Sequence, residues 1–312
     1  MDYVLLITGF ILLVLGGEFL VRSSVAISLK LNISKMIVGL TVVSFATSAP
    51  ELIVSLKAAL DEHSDIALGN VIGSNIANIG LVLGLIAMIH PIVIGRFFKI
   101  LHWPAMILFS LLMYLFMLSD LVINQLEGLI LFALISLFVY LLIRFRSKDS
   151  DSEEIDDTLQ QISGIKILIW LTISALSLYF GSEWLVEGAV NIASAHGVSE
   201  RVISLTVIAI GTSLPELSAS VVAALKKEKA ISLGNLIGSN IFNIGSVIGL
   251  TAMIHPIKVV SSQLIDSDIW WMIAISFVVY PLCLLSKKRN IGAVAGFSLL
   301  FAYITYLYFT LF

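Results

Sequence analysis

The sequence predicts an all-α integral membrane protein, with ten transmembrane helices arranged as two inverted five-helix repeats. Three observations carry this expectation. Of the 312 residues, 59% are hydrophobic and only 12% charged, where a soluble domain carries about 25% charged residues. Apolar runs of bilayer-spanning length recur from one end to the other. Finally, the chain is similar to itself at a constant offset of 165 residues, a period long enough to duplicate a whole bundle.

Taken in order, the apolar runs bounded by charges or turn residues fall at about 3–29, 36–60, 66–89, 98–118, 121–143, 163–194, 201–225, 231–254, 267–285 and 290–311. Met1, Asp2 and Tyr3 lead straight into the first run without a basic n-region or small-residue cleavage site, so it is expected to be a span and not a leader. The ten spans divide into a first repeat, 1–144, an acidic cytoplasmic linker, 145–162, and a second repeat, 163–312. Five spans per repeat is an odd number, so the second repeat starts on the opposite side of the membrane and is inverted. Counted on this topology, Lys30, Lys35, Arg96, Lys99, Arg144, Arg146, Lys148, Lys166, Lys226, Lys227, Lys229 and the Lys287–Arg289 run share one face. Only Lys57, Arg201 and Lys258 lie on the other. The positive-inside rule makes the basic face cytoplasmic and places both termini outside, in a cell membrane (plasma or inner). The net charge of −3 is small and mixed in sign, which offers nothing to nucleic acid. A single cysteine, Cys283, excludes intrachain disulfides and Cys-based zinc sites.

The repeat is sharpest in two motifs. Gly69-Asn70-Val71-Ile72-Gly73-Ser74-Asn75-Ile76-Ala77-Asn78-Ile79-Gly80 aligns with Gly234-Asn235-Leu236-Ile237-Gly238-Ser239-Asn240-Ile241-Phe242-Asn243-Ile244-Gly245, differing at two positions. At the same offset, Thr47-Ser48-Ala49-Pro50-Glu51 meets Thr212-Ser213-Leu214-Pro215-Glu216. The duplicated regions run over 39–80 and 204–245. Glu51 and Glu216 fall within spans two and seven, where a carboxylate costs several kcal/mol unless it meets a polar cavity or a cation. Thr41, Ser44, Ser48, Glu51 and Ser55 follow helical steps of three and four, and Thr206, Ser213, Glu216 and Ser220 repeat the stripe. Pro50 and Pro215, read as interior to a helix, release the carbonyls of Ala46 and Gly211. Asn70, Ser74 and Asn78, with Asn235, Ser239 and Asn243, form a second polar face at spacings of four. The glycines between them, Gly69, Gly73, Gly80 and Gly84 and their duplicates, are expected to allow close helix approach.

The donor set selects the ion. Two bidentate carboxylates with two backbone carbonyls near Thr47 and Thr212 supply six oxygens, within the ~6 to 8 that Ca2+ takes. Hydroxyls of Ser48, Ser74, Ser213 and Ser239 and carboxamides of Asn78 and Asn243 suit Na+, and the absence of His and Cys from these stripes argues against soft metals. These motifs resemble the two alpha repeats of the calcium/cation antiporter superfamily, most closely its prokaryotic sodium/calcium exchanger branch, over the full chain. The resemblance implies that Glu51 and Glu216 hold Ca2+ with the carbonyls of Thr47 and Thr212. It further implies Na+ sites built from Ser48 and Ser213, carbonyls of Ser44 and Ala209, and side chains of Ser74, Ser239, Asn78 and Asn243, with spans one and six sliding to switch access. Asn243 stands where the potassium-dependent branch has Asp, which leans towards potassium independence.

The expected function is therefore secondary, electrogenic antiport of Na+ against Ca2+ by alternating access, as a monomer in the lipid bilayer, with Ca2+ and Na+ as transported ions and no cofactor. The alternatives are an exchanger coupled to H+ or carrying another divalent cation, and a passive cation channel. An enzyme is disfavoured, because neither HExxH nor GxSxG occurs. Interhelical hydrogen bonding is the competing role for Ser74, Asn78 and their duplicates, and the preferred one for Asn75 and Asn240. Glu18 and Arg22 are four apart and able to pair, unlike Glu183 and Glu187, so Glu18 is expected to be structural or gating. His90 and His255 are expected at helix ends.

Overall fold

The structure is a computed structural model that describes residues 1–144, 159, 161–197, 209–286 and 290–311. Eight of its helices are long and apolar enough to cross a bilayer. They are α1 (Asp2–Leu31), α4 (Ser64–Ile89), α5 (Phe98–Ser119), α6 (Gln125–Arg144), α7 (Gly164–Ala195), α9 (Lys229–Ile254), α10 (Leu264–Leu284) and α11 (Ala293–Thr310). A ninth span is broken into α2 (Lys35–Thr47) and α3 (Ala49–Leu60), and the short turn Ala209–Gly211 with α8 (Leu214–Leu225) makes up the described helical part of the tenth. Thr206, Arg201, residues 145–158 of the linker and the Lys287–Arg289 run lie outside the described residues.

Most boundaries fall within a few residues of the apolar runs. The clearest shift is the fifth span, which begins at Gln125 because Val122–Ile123 is extended and pairs antiparallel with Ile257–Lys258. A matching ribbon joins Ile92–Val93 to Asn290–Ile291. Neither ribbon was expected from the apolar pattern, since two residues are too few to show an alternation. Both follow the His-Pro pairs: His90 and His255 leave the helix in extended conformation, and the proline behind each prevents it from resuming. α1 ends at Asn32, whose left-handed φ of 52° turns its N–H back onto Ser28 and Leu29.

The chain divides into two compact units. Unit 1 comprises Met1–Thr47 and Val139–Asn235. Within it α1 and α7 lie antiparallel over most of their length, seated on glycines: a Cβ on Gly9 would stand 2.5 Å from Leu185 N, and one on Gly188 2.7 Å from Asp2 O. α8 packs on the same helix, with Ser218 Oγ donating to Leu13 O at 2.6 Å. At one end Glu18 pairs with both Arg22 and Lys226, the latter at 2.8 Å, and Lys35 pairs with Glu228 at 2.7 Å. Glu183 and Glu187 are exposed.

Unit 2 comprises Ser48–Phe138 and Leu236–Phe312. Here too glycines set the helix spacing, with Gly128 against Gly249, Gly84 against Gly296, and Gly80 against Tyr303. Gly69 and Gly73 depart from expectation, since nothing lies within 4 Å of a Cβ placed on either. The two motif helices are the most enclosed elements, 72% buried for α4 and 83% for α9, against 22–33% for the other six long spans. On α11, Phe297, Phe301, Ile304 and Tyr308 are exposed at steps of four, three and four, the lipid-facing stripe of an outer helix.

This packing predicts that Gly128→Val, whose Cβ would stand 2.7 Å from Gly249 O, costs about 1–3 kcal/mol through overpacking. Gly69→Ala is expected to leave stability unchanged or slightly raised. Thermal unfolding of the two purified variants in detergent distinguishes them.

Candidate cation-binding site

Each broken span places one glutamate in the same way. At Ser48 the backbone stands at φ −85°, ψ 3°, and at Ser213 at φ −86°, ψ 2°. Helix restarts immediately, so Pro50 and Pro215 sit in the first turn of α3 and α8, where their missing N–H is no loss. The prolines therefore mark a restart of the helix and do not release a carbonyl from its interior. Gly211 O is engaged as well, accepting from Ser182 Oγ at 2.7 Å. Glu51 and Glu216 follow in the same first turns, at the positive end of each helix dipole, and both have zero exposed surface. Lys57, the nearest basic residue along the chain, is exposed.

In unit 1, α8, which carries Glu216, packs against the Ser44–Thr47 end of α2, and Thr212 and Ser213 lie directly before α8. Ala209 opens the short turn Ala209–Gly211 just before the break. Asn235 braces this group: its Nδ2 donates to Ser220 Oγ at 2.9 Å and to Glu216 O at 3.5 Å. Its Oδ1 accepts from Thr47 Oγ1 at 3.1 Å, and its carbonyl from Ser44 Oγ at 3.0 Å. Thr47 Oγ1 also lies 3.4 Å from Ser44 O, to which it donates. Ser213 Oγ is buried and without a hydrogen-bond partner among the described residues.

In unit 2, Ser48 precedes α3, which carries Glu51 and packs on both α4 and the Asn243–Ile248 stretch of α9. Asn70 repeats the brace, with Nδ2 3.0 Å from Ser55 Oγ and 3.4 Å from Glu51 O. Ser74, Asn78, Ser239 and Asn243 are all at most 1% exposed. Asn78 and Asn243 each begin a π-helical stretch, Asn78–Leu83 and Asn243–Ile248. Such wide turns are frequent at functional sites. The amide hydrogens of both are used: Asn78 Nδ2 donates to Asn240 Oδ1, and Asn243 Nδ2 to Ser74 Oγ and Asn75 Oδ1, each at 3.1 Å. Their Oδ1 atoms accept nothing among the described residues. A buried oxygen without a donor is unfavourable unless something electropositive reaches it.

Each unit thus presents one buried carboxylate with hydroxyl, carbonyl or carboxamide oxygens. Among the described residues no group of three or more His, Cys, Asp and Glu side chains comes together, so the donors are hard and mostly neutral. The bracing role of Asn70 and Asn235 is not evident from spacing alone, although duplication of both members of each pair, with Ser55 and Ser220, marks them.

A bundle of membrane-spanning helices with inverted repeats, broken spans and enclosed oxygen donors defines an ion-coupled transporter. The profile of the sodium/calcium exchanger protein family matches residues 1–144 and 166–312. CaxA of Alkalimonas amylolytica is 38% identical over 98% of this chain and 97% of its own. The sodium/calcium exchanger MaX1 of Methanosarcina acetivorans is 30% identical over 98% of this chain and 97% of its own. Among solved structures, the sodium-calcium exchanger NCX_Mj superposes with a TM-score of 0.83 at 30% identity, covering 97% of each chain. The chain belongs to the sodium/calcium exchanger protein family. It is an all-α integral membrane antiporter that exchanges Na+ for Ca2+.

The two braces predict unequal effects. Asn235→Ala removes the Nδ2 donor to Ser220 Oγ and the Oδ1 acceptor of Thr47 Oγ1 at a fully buried position and is expected to cost about 1–3 kcal/mol. Asn70 is only half-buried, so Asn70→Ala is expected to cost less. Denaturation of the two variants in detergent provides the comparison.

Proposed function

We propose that Glu51 and Glu216 are the Ca2+-binding carboxylates, joined by the backbone carbonyls of Thr47 and Thr212. Na+ is bound by Ser48, Ser213, Ser74, Ser239, Asn78 and Asn243, with the carbonyls of Ser44 and Ala209. The observation that carries this reading is the pair of carboxamide oxygens, Oδ1 of Asn78 and Asn243, buried and without a hydrogen-bond donor. They lie in the same unit as Glu51, whose carboxylate has no exposed surface. An anion and neutral dipoles that all present oxygen suit a cation, and the lack of nitrogen or sulfur donors selects a hard one.

With two carboxylates, one Ca2+ neutralises the ligand set. Exchange of one Ca2+ for more than two Na+ then moves net charge, so transport responds to membrane potential. The five-span halves, 1–144 and 163–312, act as the inverted repeats, and the acidic segment 145–162 joins them on the cytoplasmic side. The basic residues paired at one end of unit 1, Lys35 with Glu228 and Lys226 with Glu18, support one strongly basic face. Taken as cytoplasmic, it puts both termini outside a cell membrane. The protein works as a monomer, with no cofactor and no catalytic chemistry.

Neutralising either carboxylate tests the ligand set. Glu51→Gln and Glu216→Gln are each expected to weaken Ca2+ binding by on the order of a hundredfold and to bring Ca2+ uptake in liposomes to background, with folding retained by size-exclusion chromatography. Uptake at the native rate by either folded variant would remove that residue from the site.

A further inference from the structure

The repeat places a second asparagine three residues before Asn78 and Asn243. These residues, Asn75 and Asn240, are each 1% exposed and lie in unit 2 together with Asn78 and Asn243. They tie α4 to α9 reciprocally. Asn75 Nδ2 donates to Asn240 O at 3.2 Å, and Asn240 Nδ2 donates to Asn75 O at 3.0 Å. That exchange alone is the familiar interhelical role of a membrane asparagine.

The other end of each carboxamide does something different. Asn75 Oδ1 accepts from Asn243 Nδ2, and Asn240 Oδ1 accepts from Asn78 Nδ2, both at 3.1 Å. The wiring crosses the repeats: each asparagine holds the one that lies three residues further along in the opposite repeat. A carboxamide turned the other way would meet an oxygen with its own oxygen, and would aim N–H where Oδ1 now stands. N–H repels a cation, whereas Oδ1 attracts it.

We infer that Asn75 and Asn240 are positioning residues: they lock the carboxamides of Asn243 and Asn78, respectively, with oxygen towards bound Na+. This rests on the ligand reading proposed above. Helix tethering accounts for the two main-chain contacts but not for the two side-chain contacts, which have the consequence of leaving both Oδ1 atoms bare. Asn243 keeps a second anchor on Ser74 Oγ at 3.1 Å, so losing Asn75 has the smaller effect.

The test compares Asn75→Ala, Asn240→Ala, Asn78→Ala and Asn243→Ala, with the doubles Asn75→Ala/Asn243→Ala and Asn240→Ala/Asn78→Ala. Two fluxes are read from the same liposomes: Na+-driven Ca2+ uptake as a function of Na+ concentration, and Na+-free exchange of tracer Ca2+ for Ca2+, in which the carboxamides take no part. The half-saturating Na+ concentration is expected to rise about three- to tenfold for Asn240→Ala and less for Asn75→Ala, with tracer exchange within about twofold of native. Each double is expected to match its single ligand variant, since a residue acting through another adds nothing once that other is gone. If both fluxes fall in proportion, or the doubles are additive, Asn75 and Asn240 are tethers only and the inference fails. Where alanine prevents folding, Asn75→Ser and Asn240→Ser keep a hydroxyl at the contact, and the same comparison decides. A shift in the ligand variants without one in Asn75→Ala or Asn240→Ala overturns positioning alone. An unshifted Na+ dependence in Asn78→Ala and Asn243→Ala overturns the ligand reading and the inference with it.

Discussion

Two glutamates without exposed surface, inside the spans of a membrane protein, are the constraint around which the rest is arranged. Charge in that setting costs about 3 kcal/mol or more even on the mildest scale, and the helices around it make sense as ways of offsetting that cost. Each glutamate sits in the first turn of a restarted helix, where the backbone dipole favours negative charge. Each of these helices is tied by an asparagine that reaches both the glutamate's own carbonyl and a serine one turn on. Around them lie hydroxyls and amide oxygens, which polarise towards a cation without adding charge. On the ligand set proposed above, one divalent ion matches the charge of the two carboxylates, whereas singly charged ions must come in number. On the same proposal, that difference in charge per ion makes exchange between them sensitive to membrane potential.

Duplication explains how a chain with so few polar residues builds such surroundings. The backbone angles at Ser48 and Ser213 agree within 1°, and the π-helical stretches begin at equivalent asparagines. One solution to the problem of placing a carboxylate in a membrane has been used twice. The glycines make the close packing between helices feasible, but not uniformly: Gly234 lies against Met36 and Gly39, whereas its duplicate Gly69 faces open space. Identical sequence therefore does not give identical packing.

Much of this was legible in the sequence, for identifiable reasons. Span number and inversion follow from apolar length and the 165-residue offset, which need no tertiary information. Glu51, Glu216 and the serine and asparagine faces are found by helical spacing, because periodicity of 3.6 is local. What spacing could not supply was the state of the backbone around proline. Pro50 reads equally well as a kink within one helix or as the start of another, and the choice depends on Ser48 leaving helical geometry. The ribbons after His90 and His255 were invisible because their partners lie far along the chain. The asparagine wiring was hidden for the same reason, since Asn75 and Asn243 are 168 residues apart.

The most direct test of the account uses the native protein. Reconstituted into Na+-loaded liposomes and diluted into Na+-free buffer containing tracer Ca2+, it is expected to accumulate Ca2+ only while the outward Na+ gradient lasts. Because exit of more than two Na+ moves net positive charge outward, the account commits to the sign: an inside-positive potential speeds uptake and an inside-negative one slows it. Uptake in Na+-equilibrated liposomes, uptake driven by a proton gradient alone, or indifference to the imposed potential would contradict it.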